Sequence, residues 1–256
     1  MSKNKVIAVI PARMGSSRFP GKPIASIAGL PMIEHVRRRV ELAGSIDEVV
    51  VATCDQEIMD VVEKSGGKAV MTANTHERCT DRVAEAMQSL DGDIVVIVQG
   101  DEPMLMPDVL DRLVEPFFQD PSVYCTNIVS RIQTQEDFED VDVVKALLSE
   151  TKDIMWFTRA PAPYQRVEGE RPMYRQTGLS AFKRDFLTTF TDAAETQLEI
   201  IESVDFLRIV GHGYKIRAVV HDDRTIGVDR PEDVKRIEEV LENDPKQAEI
   251  FRKISL

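Results

Sequence analysis

Between Val6 and Val98, short runs of β-branched residues alternate with segments whose apolar positions recur at helical spacing, and few folds accept that alternation. Residues 6–10 are five apolar positions in a row, the pattern of a strand buried on both faces of a parallel sheet. After a Gly/Pro/Ser-rich loop, Pro31 opens a helix with Ile33, Val36, Val40 and Ala43 on one face and Gly44 as its stop. The pattern repeats as a strand at 49–52, a helix at 56–64 ended by Gly66 and Gly67, a strand at 69–71, a helix at 81–90 and a strand at 94–98. The reading is an α/β chain with a mainly parallel, Rossmann-like sheet, whose ligands sit outside the carboxyl ends of the strands.

From Tyr124 the texture changes. Strand-like stretches at 125–129 and 154–158 are separated by polar, proline-bearing segments around 161–172, which reads as β structure inserted into the parallel core. A strand at 214–220 and a helix at 231–241, with Val234, Ile237 and Leu241 on one face, return to the α/β pattern. One domain of 256 residues is expected, with a nucleotide-binding half at about 1–120, an inserted region at about 121–213, a return to the core at about 214–241 and a charged tail at 242–256.

The formal net charge of −12 makes nucleic acid a poor partner and requires any anionic ligand to be drawn by a local cluster of cations. Cys54, Cys79 and Cys125 show no CxxC spacing and read as reduced thiols of a cytoplasmic protein. No apolar stretch approaches the roughly 20 residues that span a bilayer, and the first apolar run lacks the form of a secretory leader. His35, His76, His212 and His221 share no metal-ligand spacing.

Three segments carry chemistry. Directly after the first strand, the small residues Gly15, Ser16, Ser17 and Gly21 lie among the cations Arg13, Arg18 and Lys22. Such a loop wraps a polyphosphate, because small residues let backbone N–H groups approach phosphate oxygens while Arg and Lys neutralise them. It matches neither GxxxxGK[ST] nor GxGxxG, which counts against dinucleotide redox chemistry. Gln99-Gly100-Asp101-Glu102-Pro103 follows the strand at 94–98, where Asp101 is the better placed acid to hold Mg²⁺ with a triphosphate. The third acid, Asp229, precedes the last helix, with Arg230 as its N-cap and Pro231 in its first turn, so that Asp229 stands one residue outside the cap.

IPARMGSSRFPGKP at Ile10, GLPMIEHV at Gly29, VATCD at Val51, GGKAVMT at Gly66, TDRVAE at Thr80, VQGDEP at Val98 and GVDRPEDV at Gly227 together resemble the 3-deoxy-manno-octulosonate cytidylyltransferase family. The resemblance implies a Rossmann-like nucleotidyltransferase fold and a homodimer formed through the inserted β region. It implies a Mg²⁺-dependent reaction in lipopolysaccharide biosynthesis, in which CTP and the acidic keto-sugar 3-deoxy-manno-octulosonate (Kdo) give CMP-Kdo and pyrophosphate. By the same resemblance Arg13 and Lys22 contact phosphates, Asp101 and Asp229 bind the metal, and these four form the catalytic set. Ala12, Gly15, Ser16, Thr80, Arg82 and Gln99 complete the nucleotide site. Gln99, Arg159, Arg175, Gln176, Glu202 and Asp205 fall on the sugar side, the acids within LEIIESVDFLR, which is similar to the family's sugar-side helix and also carries Arg208.

The sequence departs from the family pattern mostly on that side: Gln176 stands for His, Ser180 for Tyr and Phe206 for Gln, while Arg78-Cys79 replaces Ser-Gly ahead of Thr80. These changes leave a related acceptor, 8-amino-Kdo or a nonulosonic acid, as the alternative, and a non-catalytic nucleotide- or sugar-binding homologue as the rival from another class.

Overall fold

The computed structural model describes residues 4–16, 18–167, 169, 173–222 and 226–255. Ser17 and part of the proline-bearing segment at 161–172 lie outside the described residues. In chain order the first elements are β1 (Val6–Ala12), a turn of 3-10 helix at Lys22–Ile24, the two-residue strands β2 (Ser26–Ile27) and β3 (Leu30–Pro31), α1 (Met32–Glu41), β4 (Glu48–Thr53), α2 (Gln56–Lys64), β5 (Lys68–Met71), α3 (Cys79–Met87), β6 (Ile94–Ile97) and α4 (Pro107–Gln119). Then come β7 (Cys125–Arg131), α5 (Gln135–Glu139), β8 (Lys145–Leu148), β9 (Ile154–Thr158), β10 (Tyr174–Lys183), α6 (Arg184–Asp192), α7 (Gln197–Glu202), α8 (Leu207–Gly211) and β11 (Arg217–Val220). Helices α9 (Pro231–Asn243) and α10 (Pro245–Ile254) complete the order. No helix among the described residues is long and apolar enough to cross a membrane.

The chain divides into two compact units, one of residues 1–111 and 225–256, the other of residues 112–224. In the first unit, β1 pairs in parallel with β4 on one side and β6 on the other, and β4 pairs in parallel with β5. Every residue of β1 and β6 is buried, which is why both read as unbroken apolar runs. Helix α1 buries Met32, Ile33, Val36 and Val40 as its spacing predicts, and also Glu34, whose carboxylate is held by Arg37 and Arg38. Ile27, Met32, Met104, Val228, Ile237 and Leu241 form one core cluster that seats α9.

The segment expected to be a charged tail is helical. Asp244 accepts hydrogen bonds from the N–H groups of Lys246 and Gln247, Pro245 occupies the first turn, and Ile250 and Ile254, one turn apart, are buried. Gln247, on the same helix, donates through Nε2 to the Met104 carbonyl and accepts from the wholly buried Arg39 at 2.7 Å. Phe251 stacks on His35 at 5.3 Å.

The second unit is β-rich, as the change of texture predicts. β7 pairs antiparallel with β10 and in parallel with β11, while β8 pairs antiparallel with β10 and β9. Strand β11 lies in this unit through its pairing with β7. The register of β10 shifts between Gln176 and Ser180. The stretch resembling one sugar-side helix is two: Ser203 adopts a left-handed conformation (φ 52°, ψ 46°) that stops α7 before α8 begins.

Candidate active site

The carboxyl ends of β1 and β6 shape a cavity of about 310 Å³ in the first unit. From the end of β1 comes Ala12, followed by Arg13, Gly15, Ser16 and Arg18 of the loop. The loop is folded by its own backbone: the N–H groups of Ser16 (2.9 Å) and Gly21 (3.3 Å) both donate to the Met14 carbonyl, and Met14 N–H donates to Asp55 at 2.8 Å. Gly21, at φ 74°, turns the chain into the 3-10 turn that begins with Lys22.

From the end of β6 come Gln99, Gly100 and Asp101. A Cβ at Gly100 would stand 3.1 Å from the Pro11 carbonyl, so glycine lets the two strand ends approach. Asp229 arrives from the far end of the chain, anchored by the Val228 N–H bond to the Asp101 carbonyl at 2.9 Å. Asp233, in the first turn of α9, accepts from the N–H groups of Asp229 (2.9 Å) and Arg230 (2.8 Å) just ahead of the helix, and these backbone bonds lower its carboxyl pKa. Asp229 is thereby left to the cavity, and Arg230 is the N-cap residue, as expected.

Lys22 joins the two acids. Its Nζ donates to Asp101 Oδ2 at 2.6 Å and to the Val228 carbonyl at 2.9 Å, and lies 4.0 Å from Asp229 Oδ1. Arg18 reaches Asp229 from the solvent side at 3.8 Å. Glu102 turns the other way: its Oε2 is buried without a hydrogen-bond partner, and burial, with the charge of Asp101, pushes its carboxyl up to about 8.

Not every residue expected at the nucleotide site lies open to this cavity. Arg82 lines a smaller adjoining space of about 70 Å³ with Arg13 and Cys79, and its guanidinium donates to Thr72 Oγ1 at 2.5 Å and to the Ala73 carbonyl at 3.2 Å. Thr80 is buried in the first turn of α3, outside both linings. Arg18, Gly100 and Cys79 line the cavity although the expected set lacks them, and Cys79 lines both spaces, with Sγ 3.4 Å from Gln99 Oε1. Its replacement of the family's small residue was the signal for it.

The sugar-side residues lie in the second unit, apart from Gln99. Arg159 is committed to backbone carbonyls, donating to those of Glu202 (2.7 Å), Val141 (2.9 Å) and Ser203 (3.4 Å), while Glu202 accepts from Thr158 Oγ1 (2.7 Å) and Arg159 N–H (2.8 Å). Arg175 has a looser partner, Asp137 at 3.9 Å. Gln176 sits at the β10 register shift, its N–H donating to the Val144 carbonyl at 2.9 Å. Asp205 lies between α7 and α8, where its charge adds to burial in raising the Cys125 thiol pKa. Arg208 is buried and bound to Glu199 by two bonds of 2.8 and 2.6 Å.

Residues 7–219 match the cytidylyltransferase family. The 3-deoxy-manno-octulosonate cytidylyltransferase of Geobacter metallireducens is 40% identical over 248 residues, covering 93% of this chain and 98% of that protein. The chain belongs to the 3-deoxy-manno-octulosonate cytidylyltransferase family. A solved structure of CMP:2-keto-3-deoxy-manno-octonic acid synthetase complexed with CTP superposes with a TM-score of 0.90 at 35% identity, over 94% of this chain and 99% of that one. A cytidylyltransferase from Leptospira borgpetersenii shares the fold alone, at 16% identity and a TM-score of 0.65 over 99% of this chain and 94% of that one.

Against the family pattern, the departures on the sugar side are of two kinds. Phe206 is 5% exposed and packs edge-on against Phe157, Phe182 and Phe190, so its exchange for Gln is a matter of core packing. Ser180 is also buried, whereas Gln176 and Arg175 on the same strand are only half-buried.

Proposed function

We propose that the protein transfers CMP from CTP to Kdo, forming CMP-Kdo and pyrophosphate for lipopolysaccharide biosynthesis. The observation that carries the reading is the meeting of Arg13, Lys22, Asp101 and Asp229, from three distant stretches of sequence, in one cavity of a chain that belongs to this family. The anomeric hydroxyl of the sugar attacks the α-phosphorus in line and pyrophosphate departs, so the protein's work is positioning and charge neutralisation. Arg13 and Lys22 hold phosphate oxygens, backbone N–H groups around Gly15 and Ser16 approach them, and Gln99 orients the ligand from the end of β6.

Among the described residues no cluster of three or more His, Cys, Asp or Glu could hold a metal unaided. Two carboxylates facing a polyphosphate cavity do suit Mg²⁺, a hard ion that takes few protein ligands and completes its shell with phosphate oxygens and water. Asp101 and Asp229 would hold it, and it would supply neutralisation of charge on the phosphates. The sugar carboxylate falls to Arg175, whose guanidinium is less committed than that of Arg159. A cytoplasmic homodimer completes the reading, supported by reduced cysteines and by exposed Met155, Ile200 and Ile201 on the inserted unit, and light scattering tests the assembly.

Pyrophosphate release with CTP and each of Kdo, 8-amino-Kdo and N-acetylneuraminate tests the function. Highest kcat/KM with Kdo is expected. Preference for the nine-carbon acid removes the Kdo assignment, and no release with any acceptor favours a binding protein. Asp101→Asn is expected to lower kcat by about 10²-fold or more without loss of fold; wild-type turnover in that variant removes Asp101 from the mechanism.

A further inference from the structure

We infer that Lys22 keeps the acid pair closed to divalent cations until nucleotide phosphates draw its side chain away, an inference that rests on the proposed reading of the cavity. Nζ lies 2.6 Å from Asp101 Oδ2, so Lys22 already occupies the oxygen a metal would take, and at 4.0 Å from Asp229 Oδ1 it faces the second acid as well. A monovalent ammonium at that spot repels an incoming dication across a few ångströms. The arrangement is built: Lys22 is 13% exposed in its side chain while Asp101 and Asp229 are 38% and 66% exposed, so the cation sits beneath the carboxylates and a metal arrives from the open side.

The backbone that presents Lys22 leaves little freedom to retreat. Gly21 is left-handed, Pro23 follows, and Lys22 N–H donates to the Phe19 carbonyl at 3.2 Å. The side chain can still turn, because among the described residues its Nζ holds two acceptors at short range, Asp101 and the Val228 carbonyl. A polyphosphate in the cavity offers stronger acceptors of the same kind, and the move that satisfies them uncovers Asp101. Nucleotide and metal are then coupled, and each raises the affinity of the other by the same factor. Arg18, at 3.8 Å from Asp229 and largely exposed, adds a weaker barrier on the other acid.

If Lys22 only braces the 226–230 segment against the Asp101 loop, its removal lowers stability and leaves metal affinity unchanged. The discriminating experiment is a Mn²⁺ titration of the nucleotide-free protein, read by electron paramagnetic resonance, for wild type, Lys22→Met and the double variant Lys22→Met with Asp101→Asn. At least tenfold tighter Mn²⁺ binding in Lys22→Met than in wild type is expected, with the gain abolished in the double variant. Lys22→Gln, which keeps a polar end, is expected to show the same ordering and serves where Lys22→Met does not fold. Equal Mn²⁺ affinity in wild type and the Lys22 variants, still weakened by Asp101→Asn, overturns the inference and leaves the metal assignment standing. Binding that Asp101→Asn does not weaken overturns the metal assignment, and the inference with it.

Discussion

A thiol is a weak donor, yet Cys79 places its Sγ 3.4 Å from Gln99 Oε1 at the edge of the cavity, which leaves the amide nitrogen of Gln99 to donate to a ligand. Cys79→Ala is expected to raise KM for CTP about fivefold, the worth of one modest hydrogen bond, with kcat within about twofold of wild type. Cys79→Ser restores KM, and in a Gln99→Ala background the Cys79→Ala change has no effect; steady-state kinetics on wild type and the four variants checks this. An equal effect in both backgrounds would show that the thiol acts elsewhere. At this scale the loop cations and the acids Asp101 and Asp229 were legible, because small residues and charges directly after a buried strand have few structural uses. Their convergence was not, since nothing in linear spacing reports that Val228 binds the Asp101 carbonyl.

Strands β1 and β6 were read nearly to their ends, because a strand buried on both faces leaves an unbroken apolar run that no surface segment imitates. Helix α10 escaped notice for the opposite reason: two apolar positions, Ile250 and Ile254, stand among charges, although Asp244-Pro245 carried a start signal. Gln247→Ala removes one of the acceptors of buried Arg39, leaving the Leu105 carbonyl, and the donor to the Met104 carbonyl, and is expected to cost about 1–3 kcal/mol in urea unfolding. In the second unit the register shift in β10 hides the alternation, and the left-handed Ser203 divides what periodicity joins. Phe206→Gln restores the family's usual residue but puts an amide among three aromatic rings, and a loss of about 3 kcal/mol is expected with KM for the sugar unchanged. A tightened sugar KM would instead return this position to the acceptor site.

For the molecule as a whole, the net charge of −12 falls to zero near pH 4.9, so its acid stability is best read above that point. His35 contributes there. Burial, against the raising effect of its bond to the Ile27 carbonyl and with the charges of Arg39 and Arg38, pushes its imidazole down to about 4. With an unfolded value of about 6.5, the unfolded chain binds the proton first, so the His35 contribution is complete above pH 6.5 and is lost as pH falls toward 4. Wild type is expected to lose about 1 kcal/mol more than His35→Phe between pH 7.0 and 5.5, measured by urea unfolding at both values. The division into units has a further consequence, for synthesis. Residues 112–224 are continuous, whereas the first unit is split around them, so β1 and β6 leave the ribosome well before the segment that carries Asp229. The nascent chain exposes the 13–22 loop and Asp101 while Val228, Ile237 and Leu241 are still to come, and the core cluster around Met32 and Met104 closes only after the whole intervening unit has emerged.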